Sequence, residues 1–221
     1  MITSHHNPTL QEIRRLNAKR TDGRFVAEGE DLLAAADAAG WAPVVRLRAG
    51  IDVSAEALAK VSSLGSGARE VAIYEERWGI PEGPLCVALW GVGDPGNVGT
   101  VLRSALAFGA ASVAIGPDTA DPYGPKAVRA SMGAVFAVTV ARVTSVKDLP
   151  GPTIALASRE GETLSREDTG TLIVGAERTG LPREVVAGCD RVRHIPIRSE
   201  SLNAAMAATV ALYEVARTGD A

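Results

Sequence analysis

The sequence predicts an α/β protein in which a small α/β unit precedes a larger one with a mostly parallel sheet. Three observations carry this. Short apolar, strand-like segments alternate with segments of helical period along the chain. In the second part, segments such as Leu85-Cys-Val-Ala-Leu-Trp90 are apolar at every position, as in strands buried on both faces. The cluster Gly79-Ile-Pro-Glu-Gly-Pro84 interrupts the pattern and divides residues 1–78 from residues 85–221, with 79–84 as a linker. The chain has 221 residues, 46% apolar and 22% charged, enough to bury a core and ordinary for such a protein. Collagen-like, coiled-coil and disulfide-scaffold classes are thereby excluded.

In the first unit, Asn7 caps a helix with Pro8 at its first position, and Leu10, Ile13 and Leu16 mark its buried face. Phe25–Ala27 is a strand, and Glu30–Ala39 a helix stopped by Gly40. Val44–Leu47 is a strand, Ala55–Val61 a helix and Glu70–Tyr74 a strand. In the second unit, strand Leu85–Trp90 precedes a helix over Asn97–Phe108 that Gly109 ends. Ser112–Ile115 is a strand and Ala127–Met132 a helix. Strands follow at Phe136–Val140, Thr153–Ala157 and Thr171–Val174. Pro182–Ala187 is a helix, Val192–Ile195 a strand, and the last helix spans about Leu202–Ala216 with Ser201 as its cap.

Several function classes are disfavoured at once. No apolar run reaches the ~18 to 20 residues of a membrane helix. The start, MITSHHNPTLQEIRR, has no apolar signal core, so a cytoplasmic location is expected. Cys86 and Cys189 stand apart in apolar contexts and read as buried free thiols; no metal site is expected. The net charge of −3 gives no global attraction to nucleic acid, so an RNA partner needs a local basic patch. Arg14, Arg15, Lys19, Arg20 and Arg24 supply one candidate.

Three turns after apolar strands concentrate polar residues: Gly91–Gly99, leading into a helix with Arg103; Gly175–Pro182, with Glu177; and Ile195–Asn203, with Ser201. Strand ends that open helices present free N–H groups, and glycine lets backbone approach a ligand. Gly91, Gly93 and Gly96 match the dinucleotide pattern GxGxxG, but Asp94 would face the pyrophosphate and Pro95 removes a donor. The acidic residue expected about 20 positions later is also missing.

Asn97-x-Gly99-x-x-x-Arg103, Gly175-x-Glu177-x-x-Gly180-Leu181 and Ile195-Pro196-Ile197…Ser201-Leu202-Asn203 resemble the three motifs of the SpoU (TrmH-type) RNA 2′-O-ribose methyltransferases of the SPOUT superfamily, in the same order. Asp121–Gly133 resembles another stretch of that family, and residues 13–29 are similar to its ribosomal-protein-like substrate-binding domain. The resemblance implies a C-terminal parallel-sheet domain with a deep trefoil knot, after a small RNA-binding domain. It implies S-adenosylmethionine as cofactor, held at Gly175, Ile195 and Leu202, with Gly180, Glu177 and Asn203 shaping the pocket. It also implies a homodimer in which the first motif of one subunit completes the site of the other, acting without metal on ribosomal RNA in preference to transfer RNA.

A ribose 2′-hydroxyl must be aligned with the methyl donor and relieved of its proton. The resemblance gives that task to Arg103; because a guanidinium stays protonated, positioning of the hydroxyl and its phosphate is the other role open to it. Asn97 and Asn203 are candidates to orient Arg103 or the ribose. Ser201 is a candidate catalytic residue whose other reading is a loop bond or helix cap, and Glu177 a candidate site residue whose other reading is a brace of the knot or the subunit contact. The third motif departs from the family pattern: Arg198-Ser-Glu200 is a shorter spacer without glycine, so the turn is expected to be tighter. The alternative is a non-catalytic RNA-binding or ribosome-assembly protein on the same scaffold.

Overall fold

The computed structural model describes residues 1–20, 22–64, 67 and 69–217. The remainder of residues 1–78 and 85–221 lies outside the described residues. Two sheets organise the chain. In the first, α1 (Pro8–Ala18), β1 (Arg24–Glu28), α2 (Glu30–Ala38), β2 (Val45–Arg48), α3 (Ala55–Ala59) and β3 (Glu70–Glu75) form an antiparallel sheet of order β1-β3-β2 with helices around it. Asn7 caps α1 as expected, its side chain accepting from Thr9 N at 3.0 Å. Leu10, Ile13 and Leu16 bury against Val26, Leu58 and Ile73.

The second sheet has seven strands, all parallel: β4 (Leu85–Trp90), β5 (Ser112–Ile115), β6 (Thr139–Arg142), β7 (Thr153–Ala157), β8 (Glu162–Thr163), β9 (Gly170–Gly175) and β10 (Arg191–His194), in the order β6-β5-β4-β9-β7-β10-β8. Its helices are α4 (Pro95–Ala107), α5 (Pro125–Ser131), α6 (Ala134–Ala137), α7 (Arg183–Ala187) and α8 (Ala204–Ala216). From β4 the chain runs outward to β5 and β6, then crosses back to the other side. The order therefore reverses beside β4, where the carboxyl ends of parallel strands leave a crevice for ligands. Trp90 and Gly175 are register partners there, so the loops after β4 and β9 emerge side by side.

Beyond end shifts such as those in α3 and α5, the differences from the sequence expectation are these. Phe136 lies in α6, and the strand begins at Thr139. The alternation of Val135–Val140 suggests β-structure, but Phe136 packs on Trp41 and Tyr74, and its carbonyl accepts from Trp41 Nε1 at 2.9 Å. Helix α4 starts at Pro95, with Asp94 as its cap. Helix α8 is capped by Asn203, not Ser201. The two-residue β8 is exposed and too short to leave a sequence pattern.

The boundary residues are docked. Gly79 bridges Ala141, and Glu82 exchanges hydrogen bonds with the Ser112 hydroxyl at 2.9 and 2.8 Å. Phe25, Trp41 and Tyr74 from the first unit share one apolar cluster with Tyr123, Phe136 and Leu85 from the second. Arg20 fastens the junction through ion pairs to Glu76 and Asp121.

The far edge is pinned by Asp168, which accepts from Ser165 N at 3.0 Å and pairs with Arg193 at 2.9 Å and Arg191 at 3.2 Å. Burial pushes this carboxyl up, but the Ser165 N–H and the two guanidinia outweigh it and leave it below the usual carboxylate range. A lowered folded value adds stability that is complete above that range and is lost as pH falls through and below it. Asp168→Asn is therefore expected to lower stability at neutral pH by about 3 kcal/mol. It should also flatten the acid limb of a Tm-against-pH profile below about pH 5.

Candidate active site

The loops after β7, β9 and β10 enclose a cavity of about 350 Å³. Its walls include Gly175, Glu177, Gly180, Ile195, Ser201 and Leu202. Thus all three residues expected to hold the cofactor, two of the three expected to shape its pocket, and Ser201 surround one space. The third shaping residue, Asn203, sits just behind the wall as the cap of α8: its Oδ1 accepts from Ala205 N at 2.9 Å and Met206 N at 3.3 Å.

Glycine is required at the rim. A Cβ on Gly175 would lie 2.5 Å from Leu181 N and as close to the Gly180 backbone, because the 175–181 loop folds onto its own start. Ala176 and Gly180 form an isolated bridge that closes the loop, and Gly180 has φ +65°. The space left beside it is lined by the apolar residues Leu156, Val174, Ile195 and Leu202 and by polar ones that include Ser158, Thr179 and Glu200. The contribution of Leu156–Ser158 was not legible in the sequence. The available signal was the apolar run Thr153–Ala157 entering a polar turn, a pattern common to all parallel strands.

Behind the cavity the three motifs join through side chains. Asn97 Nδ2 donates to Glu177 Oε1, and Asn203 Nδ2 donates to Asn97 Oδ1 at 3.2 Å. Asn97 thus uses both ends of its amide for this chain, whereas Asn203 gives it only the nitrogen and keeps its oxygen for the helix cap. Asn97 is itself placed by Asp94, whose Oδ1 accepts from Gly96 N at 2.6 Å and Asn97 N at 3.3 Å. Lys126 pairs with Asp94 at 2.9 Å, and this ammonium and the Gly96 N–H hold the Asp94 carboxyl below its ordinary value. The α4 N-terminus is therefore filled by the chain's own carboxylate, in keeping with the sequence argument against a bound pyrophosphate. Close packing fixes the helix further: a Cβ on Gly99 would collide with the backbone of α5.

Arg103 stands apart. It is exposed on α4, lines none of this cavity, and makes no hydrogen bond or ion pair among the described residues. Leu106, one helical turn on, is 47% exposed on the same side. Met206, Val210 and Tyr213 of the neighbouring α8 are 62%, 42% and 57% exposed. These positions follow an i, i+4, i+7 spacing and make an apolar stripe beside Arg103.

The basic cluster of the first unit divides. Arg14 and Lys19 are exposed and without an ion pair among the described residues. Arg15 pairs with Asp22 at 2.5 Å and Arg24 with Glu12 at 3.1 Å. Arg20 departs from the expectation of an RNA contact: it is 10% exposed and committed to Glu76 and Asp121, because the junction needs a cation between two carboxylates. The cysteines are free, Cys86 buried and Cys189 partly so, and burial raises both thiols.

The signature of the SpoU rRNA Methylase family matches residues 84–213. A Synechocystis protein named uncharacterized tRNA/rRNA methyltransferase is 31% identical over 255 residues, covering 98% of this chain and 93% of that protein. The crystal structure of an AdoMet-bound rRNA methyltransferase from Sinorhizobium meliloti superposes with a TM-score of 0.85 at 29% identity, covering 97% of this chain and 96% of that one. A structure described as an RNA 2′-O ribose methyltransferase gives 0.75 at 26% identity, covering 97% of each. The chain spans 30% to 46% of the length of other curated relatives that it matches at 36% to 39% identity. With its signature over more than half the sequence and its three motifs gathered around one cavity, the chain belongs to the SpoU rRNA Methylase family.

Proposed function

We propose that this protein is an S-adenosylmethionine-dependent methyltransferase acting on a ribose 2′-hydroxyl of structured RNA, ribosomal in preference to transfer RNA. The observation that carries the reading is the union of the three motifs: one cavity walled by the second and third, with Glu177 on its wall bonded to Asn97 and Asn97 to Asn203 behind it. The cavity fits the cofactor. Its apolar residues suit an adenine ring, its polar residues suit the ring edge and the ribose, and the crowded contact at Gly175 shows how little room the chain leaves there. S-adenosylmethionine supplies a methyl group already activated by the sulfonium charge.

The chain's own residues have the remaining work. The 175–181 and 195–202 loops exclude water and orient the donor, while Arg103 orients the hydroxyl and its adjacent phosphate. Because Arg103 lies outside the cavity and beside the exposed stripe of Leu106, Met206, Val210 and Tyr213, the working form is a homodimer. In that dimer the stripe is covered, and Arg103 of one subunit serves the cavity of the other. A knotted path is supported by the course of the chain. Residues 195–203 leave β10, beyond β9 and β7, and return to α8, which packs on α4 and β9. The first unit, with Arg14 and Lys19 exposed, serves as an RNA-binding domain within a cytoplasmic enzyme.

Calorimetric titration with S-adenosylmethionine and S-adenosylhomocysteine tests the pocket; micromolar binding is expected. Transfer of labelled methyl groups to total ribosomal RNA and, separately, transfer RNA tests the acceptor. A 2′-O-methyl group removes the nucleophile of alkaline cleavage, so the label should appear in alkali-resistant dinucleotides. Label in mononucleotides would move the reaction to the bases. No binding of either compound, alone or with total RNA, would leave the scaffold reading.

A further inference from the structure

We infer that a cavity of about 590 Å³ at the carboxyl ends of β5 and β6 is a nucleoside subsite, in which Arg142, braced on Trp78, stacks against an unpaired base of the substrate RNA. The inference rests on the RNA reading above and adds a place on the methyltransferase sheet where the strand is gripped away from the reacting ribose.

The platform is built from the junction of the two units. The Arg142 guanidinium lies 3.9 Å from the centre of the Trp78 ring, and its side chain is 65% exposed. Trp78 cannot turn freely: its Nε1 donates to Glu76 at 2.7 Å, and Tyr123 meets it edge-on with ring centres 5.1 Å apart. Glu76 is itself fixed by Arg20 at 2.9 Å, and comes no nearer to Arg142 than 3.9 Å. The guanidinium thus has one side supported by an indole, makes only the long ion pair to Glu76 among the described residues, and lines an open cavity. Flat cations of this kind stack unpaired bases in RNA-binding proteins.

Charge selects a nucleoside over a phosphate. Asp118 lines the same cavity, without a hydrogen bond or ion pair among the described residues. Its carboxylate repels a phosphate, but accepts from base amino groups or ribose hydroxyls. Position selects RNA already bound elsewhere. On one side, Arg20 joins Glu76 and Asp121, which places the exposed Lys19 at the end of α1 beside this edge. On the other, Gly91 N donates to Pro117 O at 3.0 Å, and a Cβ on Gly91 would lie 3.7 Å from Ala176 of the candidate-site loop. A strand running from α1 to the cofactor cavity crosses Arg142.

The test compares Arg142→Ala and Arg142→Lys with the unaltered protein, using a short fluorescein-labelled oligoadenylate and total ribosomal RNA as probes. Arg142→Ala should bind both about 5- to 100-fold more weakly, the range for one stacked base. Arg142→Lys should fall nearly as far, because an ammonium offers no plane. Affinity for S-adenosylmethionine should not change in either variant. Full rescue by lysine would make Arg142 a phosphate counter-ion and overturn the subsite, as would unaltered binding by Arg142→Ala. If the unaltered protein binds neither probe, the RNA reading itself falls, and the subsite with it.

Discussion

Arg103→Ala should abolish methyl transfer while leaving the fold and the cofactor affinity intact. The side chain is exposed, makes no bond among the described residues and lines none of the candidate cavity, so its removal costs the free protein little. Its effect should fall on turnover. Loss of a group that positions or deprotonates the nucleophile typically costs about 10²- to 10⁴-fold. Arg103→Lys separates the two roles: positioning of a hydroxyl together with its phosphate needs the guanidinium fork, so lysine should recover little. Unchanged turnover in Arg103→Ala would remove Arg103 from the reaction.

Gly175→Ala should fail in the opposite way, losing cofactor binding first. The added methyl would press on the backbone of Gly180 and Leu181, which have no flexible side-chain end to move aside. Opening the loop to relieve this overpacking costs about 1–3 kcal/mol, seen as a Tm lower by several degrees. The same opening displaces the wall proposed to hold the cofactor, so affinity for S-adenosylmethionine should drop at least about tenfold, equivalent to about 1.4 kcal/mol. Gly93→Ala is the control, because a Cβ there meets nothing within 4 Å. Equal behaviour of the two variants would sink the argument.

The two lesions together test where Arg103 acts. In a mixed dimer of Arg103→Ala and Gly175→Ala subunits, a site made across the interface has one copy with both an intact cavity and an intact arginine. Activity should then return when the two inactive proteins are mixed. A site made within one subunit leaves every copy damaged, and mixing would restore nothing.

Much of the fold was legible because its signals are local. The Asn7-Pro8 start of α1 follows from side-chain capping, and the apolar runs of β4 and β5 from burial on both faces. Phe136 was misread because Val135–Val140 alternates like a strand, whereas its ring is claimed by an aromatic cluster drawn from residues 25, 41 and 74. Ser201 and Asn203 both suit a helix cap, and sequence alone cannot choose between them. Asn203 takes the position, tying the α8 cap to Asn97 through its amide nitrogen while its oxygen caps the helix.

By itself, then, the sequence determined the α/β alternation, the three polar turns after apolar strands and the residue types of the site. Each is written in neighbours a few positions apart. Tertiary structure alone decided that Glu177, Asn97 and Asn203 form one chain, that Arg20 is a junction clamp rather than a free cation, and that Arg103 stands outside the cavity. The physical reason is distance along the chain. Hydrogen bonds and ion pairs spanning up to about a hundred residues depend on the order in which strands are laid into the sheet, and no local pattern records that order.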